Sequence, residues 1–232
     1  MMDIKKALVI VGSPKAKLSA SHTMGSFLAE QLNQKSIQTK MTYVATGLSS
    51  PENLNNLYAA MDDADILAFV FPLYADQLPS GLVQALEGYV QHRQNHKPPH
   101  SQSILALVNC GFPEAHQNDI AIAITKRFAD LNGFGWLGGL ALGQGGMVEG
   151  GKPLLNQGGR VRRIRKVLEK SAQAIANGSA LPEEAINEIR KPAMPRWLYT
   201  FVGNWGFQQA AKKSGLSKKQ LVATPFYAEP PK

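Results

Sequence analysis

The sequence predicts a doubly wound α/β protein, with a five-stranded parallel sheet between two layers of helices. Short, unbroken apolar runs such as 7–11 and 65–71 recur along the chain, and each is followed by a loop and then by a segment with helical periodicity. Such runs are typical of strands that are buried on both faces, as they are in a parallel sheet. Five of these strand–helix units are complete by residue 178, and they predict a three-layer fold with strand order 2-1-3-4-5.

The composition is that of a folded globular chain. Its 232 residues are 44% hydrophobic, which fits one domain of ordinary size with an appendage. No apolar stretch approaches the ~18 residues of a membrane span, and the run after Lys5 and Lys6 is too short for a signal peptide. The single cysteine, Cys110, excludes a disulfide within these residues. We therefore expect a cytoplasmic protein without a membrane partner.

The net charge of +8 is concentrated late in the chain. Residues 1–151 hold 10 Lys/Arg and 12 Asp/Glu. Residues 152–170 hold 7 Lys/Arg and 1 Asp/Glu, and residues 171–232 hold 8 Lys/Arg and 4 Asp/Glu. A basic patch can attract nucleic acid, a membrane surface or a phosphorylated nucleotide. A solvated helix face explains the same pattern, so the charge alone selects no partner.

The first strand, 7–11, ends at Gly12, and a loop rich in hydroxyl groups then leads into an amphipathic helix. The loop and the start of this helix contain Ser13, Lys15, Lys17, Ser19, Ser21 and Thr23. A strand, a polar loop and a helix N-terminus favour phosphate binding, because free N–H groups and the positive end of the helix dipole face the anion. The Rossmann and P-loop glycine patterns are absent, so a terminal monophosphate is favoured. The alternative is an ordinary turn with Ser21 as the helix N-cap.

The second and third units follow the same plan. A strand is predicted over 37–44, a helix over 51–61 with Ser50 as N-cap and Pro51 at its first position, and a strand over 65–71. The loop 71–79, FPLYADQLP, then lies at the carboxyl end of a strand, where open α/β sheets place their ligands. Its aromatic and apolar residues suit either a flat ring or packing on the protein itself. A helix starts after Pro79.

The fourth unit begins after a polar, proline-rich connection. His92, His96 and His100 are evenly spaced here, but Pro98 and Pro99 break any helix that would align them, so we expect no metal site. The fourth strand, 103–108, ends in a loop, 109–114 (NCGFPE), at the same sheet edge. A helix is predicted over 119–131 with four apolar residues in step, namely Ile120, Ile124, Phe128 and Leu131.

The fifth strand, 136–142, is followed by residues 143–159, which contain seven glycines. A connection of this length is uncommon inside a compact domain and is usually functional or mobile. A helix over 160–176 completes the fifth strand–helix unit. Five of its apolar residues should face inward: Val161, Ile164, Val167, Leu168 and Ile175.

The loops at the sheet edge resemble those of the flavodoxin-like NAD(P)H-dependent oxidoreductases, including the NADPH-dependent FMN reductases. Gly12-Ser13-Pro14-Lys15 and Ser19 to Thr23 match the loop that holds the FMN phosphate in that family, and Pro72-Leu73-Tyr74 with Pro79 matches the loop at the flavin ring. The resemblance covers about residues 4–178. It implies FMN as cofactor, NAD(P)H as co-substrate, hydride transfer to the flavin, a small acceptor such as a quinone or a flavin, and a homo-oligomer (dimer or tetramer).

The resemblance also implies which residues bind the cofactor. Those expected at the phosphate are Ser13, Lys15, Ser19, Ser21 and Thr23. Those expected at the ring are Pro72, Leu73, Tyr74, Asp76, Asn109, Cys110, Gly111 and Phe112. Cys110 is expected to be half-buried and structural, and one cysteine cannot hold an iron–sulfur cluster. No catalytic acid or base is required, because the cofactor carries the chemistry.

Residues 179–232 are predicted to form a helical extension of the domain 1–178. A short helix ends near Arg190, and the aromatic stretch 196–207 precedes four lysines. Such a tail could stack nucleobases, lie at a membrane interface, or pack its aromatics on its own or a partner subunit. We favour packing, and expect no nucleic acid partner. Two functional alternatives share the fold: a flavodoxin-type electron carrier, which is usually acidic, and a flavin-free relative that acts through its basic tail.

Overall fold

Five parallel strands form one sheet in the computed structural model, which describes residues 4–96, 98 and 100–223. The strands are β1 (Lys6–Val11), β2 (Gln38–Tyr43), β3 (Ile66–Pro72), β4 (Ser103–Asn109) and β5 (Gly135–Leu142). They pair in the order β2-β1-β3-β4-β5, and every pair is parallel. The predicted fold class and strand order are confirmed.

Helices cover both faces of this sheet. They are α1 (Ala20–Asn33), α2 (Val44–Gly47), α3 (Pro51–Asp62), α4 (Ser80–Asn95), α5 (Asp119–Leu131), α6 (Arg162–Ala176) and α7 (Glu183–Arg190). Two more helices, α8 (Arg196–Lys213) and α9 (Lys218–Leu221), follow later in the chain. Alternate residues of β1 point to opposite faces: Ala7 and Val9 join the core under α1, α6 and α7, while Leu8 and Ile10 join the core under α3 and α4. The inward face predicted for 160–176 is confirmed, because all five of its apolar residues are buried.

Local sequence signals explain where two of the helices begin. Ser50 Oγ accepts a hydrogen bond from Asn53 N at 3.2 Å with Pro51 in the first turn, as predicted for α3. At α1 the N-cap is Ser19, whose Oγ accepts from His22 N at 3.0 Å. The alternative that Ser21 caps this helix is therefore wrong.

Helix α5 leaves three of the four residues of its predicted apolar stripe exposed, and only Phe128 packs against the core. Ile120, Ile124 and Leu131 are 59%, 40% and 65% exposed, whereas the smaller Ala121, Thr125 and Ala129 are buried. The sheet brings α5 close: a Cβ on Gly139 of β5 would lie 2.4 Å from Ile122 Cγ2. Close approach favours small side chains at the interface, where Ile122 and Phe128 also pack against the core, and Ile120, Ile124 and Leu131 are left on the outer face.

The chain separates into a unit that ends at Ala193 and a second unit that begins at Met194. The first unit extends past residue 178 because α7 packs on β5 and α6. Leu181 N donates to Leu137 O at 2.7 Å, and Ala185 and Ile189 are fully buried in the core shared with α1 and α6. Over the described part of the chain, no helix has the length and apolar character needed to cross a membrane.

Candidate functional site

The three loops singled out from the sequence leave β1, β3 and β4, which are neighbours in the sheet, at its carboxyl edge. The buried residue Asn109 connects them. Its Nδ2 donates to Ser21 Oγ at 2.9 Å and to Phe71 O at 3.1 Å, and its backbone O accepts from Leu73 N at 2.8 Å. The loops 12–23, 71–79 and 109–114 therefore meet at one position.

Two hydroxyl groups of the first loop build the loop itself. Ser19 Oγ accepts from His22 N and donates its proton to Ala16 O at 2.6 Å. Thr23 Oγ1 donates to Glu149 O at 3.2 Å and accepts from Gly151 N at 3.1 Å. A hydroxyl has one proton, so neither group retains a proton for a ligand in this arrangement.

The other two hydroxyl groups act only as acceptors. Ser13 Oγ accepts from Lys15 N at 3.3 Å, and Ser21 Oγ accepts from Asn109 Nδ2. Among the described residues neither hydroxyl donates its own proton, although both side chains are buried. Ser13 and Ser21 are thus the loop hydroxyls whose protons can turn to an anion.

The backbone around these hydroxyls is also suited to an anion. Within the described ranges, the N–H groups of Ala20 and Ser21 in the first turn of α1 have no acceptor. Lys15 and Lys17 are exposed beside them, and residues 4–29 contain no Asp or Glu. Free amides at a helix N-terminus, hydroxyl donors and nearby cations match a phosphate monoester. These residues therefore fit the phosphate of FMN.

The glycine-rich segment 143–159, which we call the strap, lies against the first loop. A Cβ on Gly150 would approach Leu18 O to 2.3 Å, so the two backbones are in close contact. The buried Gln157 organises the strap: its Oε1 accepts from Glu149 N at 2.8 Å, and its Nε2 donates to Glu149 O and Lys152 O at 2.8 Å each. Sequence reasoning singled out the glycines of the strap but not Gln157.

The second loop is a tight turn with unusual backbone angles. Tyr74 and Gln77 exchange backbone hydrogen bonds of 3.0 and 3.1 Å, and the two residues between them, Ala75 and Asp76, have φ of 48° and 60°. Positive φ at both central positions is the type I′ pattern, which normally selects Asn and Gly. The turn leaves Tyr74 43% exposed at the sheet edge. Pro72 and Leu73 are half-buried and Asp76 is exposed.

The third loop separates a buried thiol from an exposed aromatic ring. Cys110 is buried, Asn118 Nδ2 donates to its Sγ at 3.4 Å, and burial raises the pKa of the thiol. A buried thiol of raised pKa is a poor nucleophile. Gly111 is exposed and Phe112 is 53% exposed. Asn118, which also donates to Leu142 O at 3.1 Å, gave no recognisable signal in the sequence.

His22, in the first turn of α1, is a further polar group that sequence reasoning did not single out. Its Nδ1 lies 3.0 Å from Tyr43 Oη. Burial lowers the pKa of His22, and the nearby charge of Lys17 lowers it further. The neutral ring is therefore favoured beside the first loop.

The histidines before β4 interact with protein groups. His92 Nε2 lies 2.7 Å from Asp62 Oδ2, and the rings of His92 and His96 stack with centroids 4.5 Å apart. His100 Nε2 lies 3.2 Å from Ala64 O. In the described ranges, no three His, Cys, Asp or Glu side chains are placed to hold a metal ion.

The basic segment 152–170 contributes to a groove between α6 and α7. This cavity of about 610 Å³ is lined by Arg162, Arg163, Lys166 and Lys170 together with Glu184 and Glu188. Part of the charge is already paired, since Lys170 Nζ lies 2.6 Å from Glu184 Oε1. Arg163 Nη1 donates to Pro192 O at 3.0 Å. Lys170 therefore bonds to α7, and Arg163 bonds to the segment that follows it.

Known proteins share this fold. An NADH:FMN oxidoreductase matches with a TM-score of 0.56 and 16% identity over 83% of this chain and 97% of its own. An FMN-dependent NADH-azoreductase from Bacillus anthracis, in complex with FMN, matches with a TM-score of 0.53 and 13% identity over 75% and 100%. A flavodoxin from Streptococcus pneumonia TIGR4 matches with a TM-score of 0.51 and 11% identity over 75% of this chain and 99% of its own. No curated protein sequence matches the chain.

The family itself is established by a sequence model. Residues 5–129, more than half of the chain, match the model of the NADPH-dependent FMN reductases. This stretch holds all three site loops, from Gly12 to Glu114, and the first loop fits the phosphate of FMN. FMN is therefore the cofactor and NAD(P)H the co-substrate. The chain belongs to the NADPH-dependent FMN reductase family and is an FMN-dependent oxidoreductase.

Proposed function

We propose that this enzyme oxidises NAD(P)H and passes the electrons to a small acceptor such as a quinone or a free flavin, with FMN held by the loops 12–23, 71–79 and 109–114. One arrangement carries the proposal: unused N–H and hydroxyl donors at the start of α1 lie at the same sheet edge as the exposed rings of Tyr74 and Phe112. Phosphate donors beside flat apolar surface suit a phosphorylated aromatic cofactor.

The site residues then divide into three groups. Ser13, Ser21 and the amide of Ala20 would bind the phosphate, and Lys15 would reduce its charge. Ser19 and Thr23 would shape the loop without contacting the ligand. The residues proposed to border the ring are Pro72, Leu73, Tyr74, Asp76, Asn109, Gly111 and Phe112, while Cys110 holds the third loop in place. FMN, when bound, accepts a hydride and returns electrons singly or in pairs.

An absorbance spectrum tests the proposal directly. The purified protein should acquire bound flavin bands when FMN is added, and anaerobic NADPH should bleach them. Re-oxidation by a quinone or by free flavin would then identify the acceptor. Bands that bind but do not bleach would indicate an electron carrier instead. Absence of FMN binding would refute the assignment of loop 12–23 as a phosphate site.

We further propose that the protein is a homodimer, joined through the exposed stripe of α5. Ile120, Ile124 and Leu131 leave a large apolar surface beside an apolar groove of about 330 Å³ between α4 and α5. Surfaces of this kind commonly bind a partner. Ile124→Lys should convert the dimer into a monomer in light-scattering chromatography, whereas Ala123→Lys, on the neighbouring exposed position, should not. A dimer that survives Ile124→Lys would contradict this arrangement.

A further inference from the structure

Helix α8 carries a row of aromatic side chains that are exposed. Trp197, Phe201 and Trp205 are 71%, 66% and 59% exposed. These three are spaced four residues apart, so they lie along one side of the helix, while Phe207, which is 71% exposed, lies on another side. Ala211 is the one residue of α8 that is buried. Large aromatic side chains usually pack against other apolar groups, so we expect this exposed row to contact a binding partner.

The charges around this row are all positive. Residues 194–223 contain no Asp or Glu. The run 197–211 is uncharged; Arg196 precedes it, and Lys212, Lys213, Lys218 and Lys219 follow it. An aromatic helix between cations meets an anionic surface more favourably than a neutral or basic one.

We propose that α8 lies in the surface of an anionic phospholipid bilayer. Tryptophan and phenylalanine favour the boundary between headgroups and acyl chains, and nearby cations are attracted to an anionic leaflet. The uncharged run is about 22 Å long at ~1.5 Å per residue, shorter than the ~30 Å hydrocarbon core. The helix therefore lies on the bilayer rather than across it. This proposal is independent of the FMN chemistry.

Other partners fit the same surface less well. Two α8 helices packed against each other would bring only like charges together at their ends. Proteins that stack single-stranded nucleobases place aromatics along a groove lined with cations, whereas the cations here lie outside the aromatic row. The sequence pattern favours packing of these rings on a subunit and no membrane partner; the exposure of Trp197, Phe201 and Trp205 favours a lipid surface instead.

Sedimentation of the full chain with lipid vesicles tests the proposal. The protein should bind vesicles that contain about one third phosphatidylglycerol, and should bind pure phosphatidylcholine about tenfold less tightly. About 0.5 M NaCl should weaken binding to the anionic vesicles by a similar factor. Trp205→Ser should reduce binding about tenfold, because it removes a buried aromatic contact with lipid. Leu155→Ser, which removes a comparably exposed apolar side chain far from α8 in sequence, should bind as the unaltered protein does.

Tryptophan emission provides a second readout, since the chain has three tryptophans. Trp136→Phe leaves emission only from α8, which should shift to the blue with anionic vesicles. Trp197→Phe with Trp205→Phe leaves only Trp136, whose emission should not change. Failure to bind anionic vesicles overturns the proposal. If the unaltered protein does not bind vesicles and Trp205→Ser loses self-association, the surface binds a second copy of the chain. If the protein binds an oligonucleotide and not vesicles, the surface binds nucleic acid.

Discussion

At the scale of single residues, the four loop hydroxyls differ in how their protons are used. Ser19 and Thr23 donate to backbone carbonyls, whereas Ser13 and Ser21 only accept. A hydroxyl that donates to a phosphate oxygen makes a charge-assisted bond, and an N-cap hydroxyl supports its helix. Similar side chains in one loop should therefore respond differently to mutation.

We expect Ser21→Ala to raise the Kd for FMN about tenfold, because a hydrogen bond to a charged group contributes about 1.5 kcal/mol or more. Ser19→Ala should lower the free energy of unfolding by about 1 kcal/mol through loss of the cap, with a smaller change in Kd. Because Ser21→Ala also removes an acceptor of Asn109 Nδ2 and can lower stability too, the change in Kd is what separates the two variants. Quenching of FMN fluorescence and urea denaturation measure the two quantities. The reverse order of effects would contradict the division.

His22 should make stability depend on pH. Burial and Lys17 lower the pKa of His22 in the folded protein below its ordinary value of 6.5. Between these two values the unfolded chain binds more protons, so the free energy of unfolding should fall as the pH drops below about 6.5. A protonated ring also cannot accept a hydrogen bond from Tyr43.

The control for this prediction is His22→Gln, which does not titrate. Above about pH 7 the free energy of unfolding of the unaltered protein should exceed that of His22→Gln by the largest amount. This difference should become smaller as the pH is lowered toward about 5. Urea titrations across that range measure it. A difference that does not vary with pH would show that His22 does not contribute in this way.

At the scale of elements, the strap and the first loop form one structure although they are far apart in sequence. Thr23 bonds to Glu149 and Gly151, and Gly150 lies directly on Leu18 O. The strap therefore helps to set the conformation of the loop that is proposed to hold the phosphate. A change in the strap should affect both stability and cofactor binding.

Gly150→Ala should lower the free energy of unfolding by about 2 kcal/mol and weaken FMN binding, because the added Cβ would meet three backbone atoms within 2.9 Å. Gly159→Ala is the matched control, since a Cβ there would meet nothing within 4 Å. Thermal denaturation and FMN titration of the two variants test this. Equal behaviour of the two variants would mean that the strap does not support the loop.

Patterns confined to a few neighbouring residues made much of this architecture predictable. The apolar runs located β1 and β3, and Ser50-Pro51 located the start of α3, because these signals act locally. The use of the Thr23 hydroxyl could not be predicted, since its partner Glu149 is 126 residues away. The period of α5 predicted a helix, but which face is buried depends on the close approach at Gly139.

At the scale of the whole molecule, the first unit contains its own core. Every member of the two buried clusters lies at or before Ile189, and α7 supplies Ala185 and Ile189 to the cluster shared with α1 and α6. The contacts divide the chain after Ala193, whereas the sequence pattern suggested a boundary at 178. Two truncated chains can distinguish these boundaries.

A chain that ends after Ala193 should keep its free energy of unfolding within about 1 kcal/mol and its Kd for FMN within about threefold, because it retains every described member of the two buried clusters. A chain that ends after Gly178 loses Leu181, Ala185 and Ile189 from the core. Its free energy of unfolding should fall by at least about 3 kcal/mol, since deletion of one buried Leu or Ile side chain costs about 2–5 kcal/mol. Urea denaturation and FMN titration of both chains measure the difference. Equal stability would place α7 outside the folding unit, and a large loss in the longer chain would show that residues 194–232 stabilise the domain.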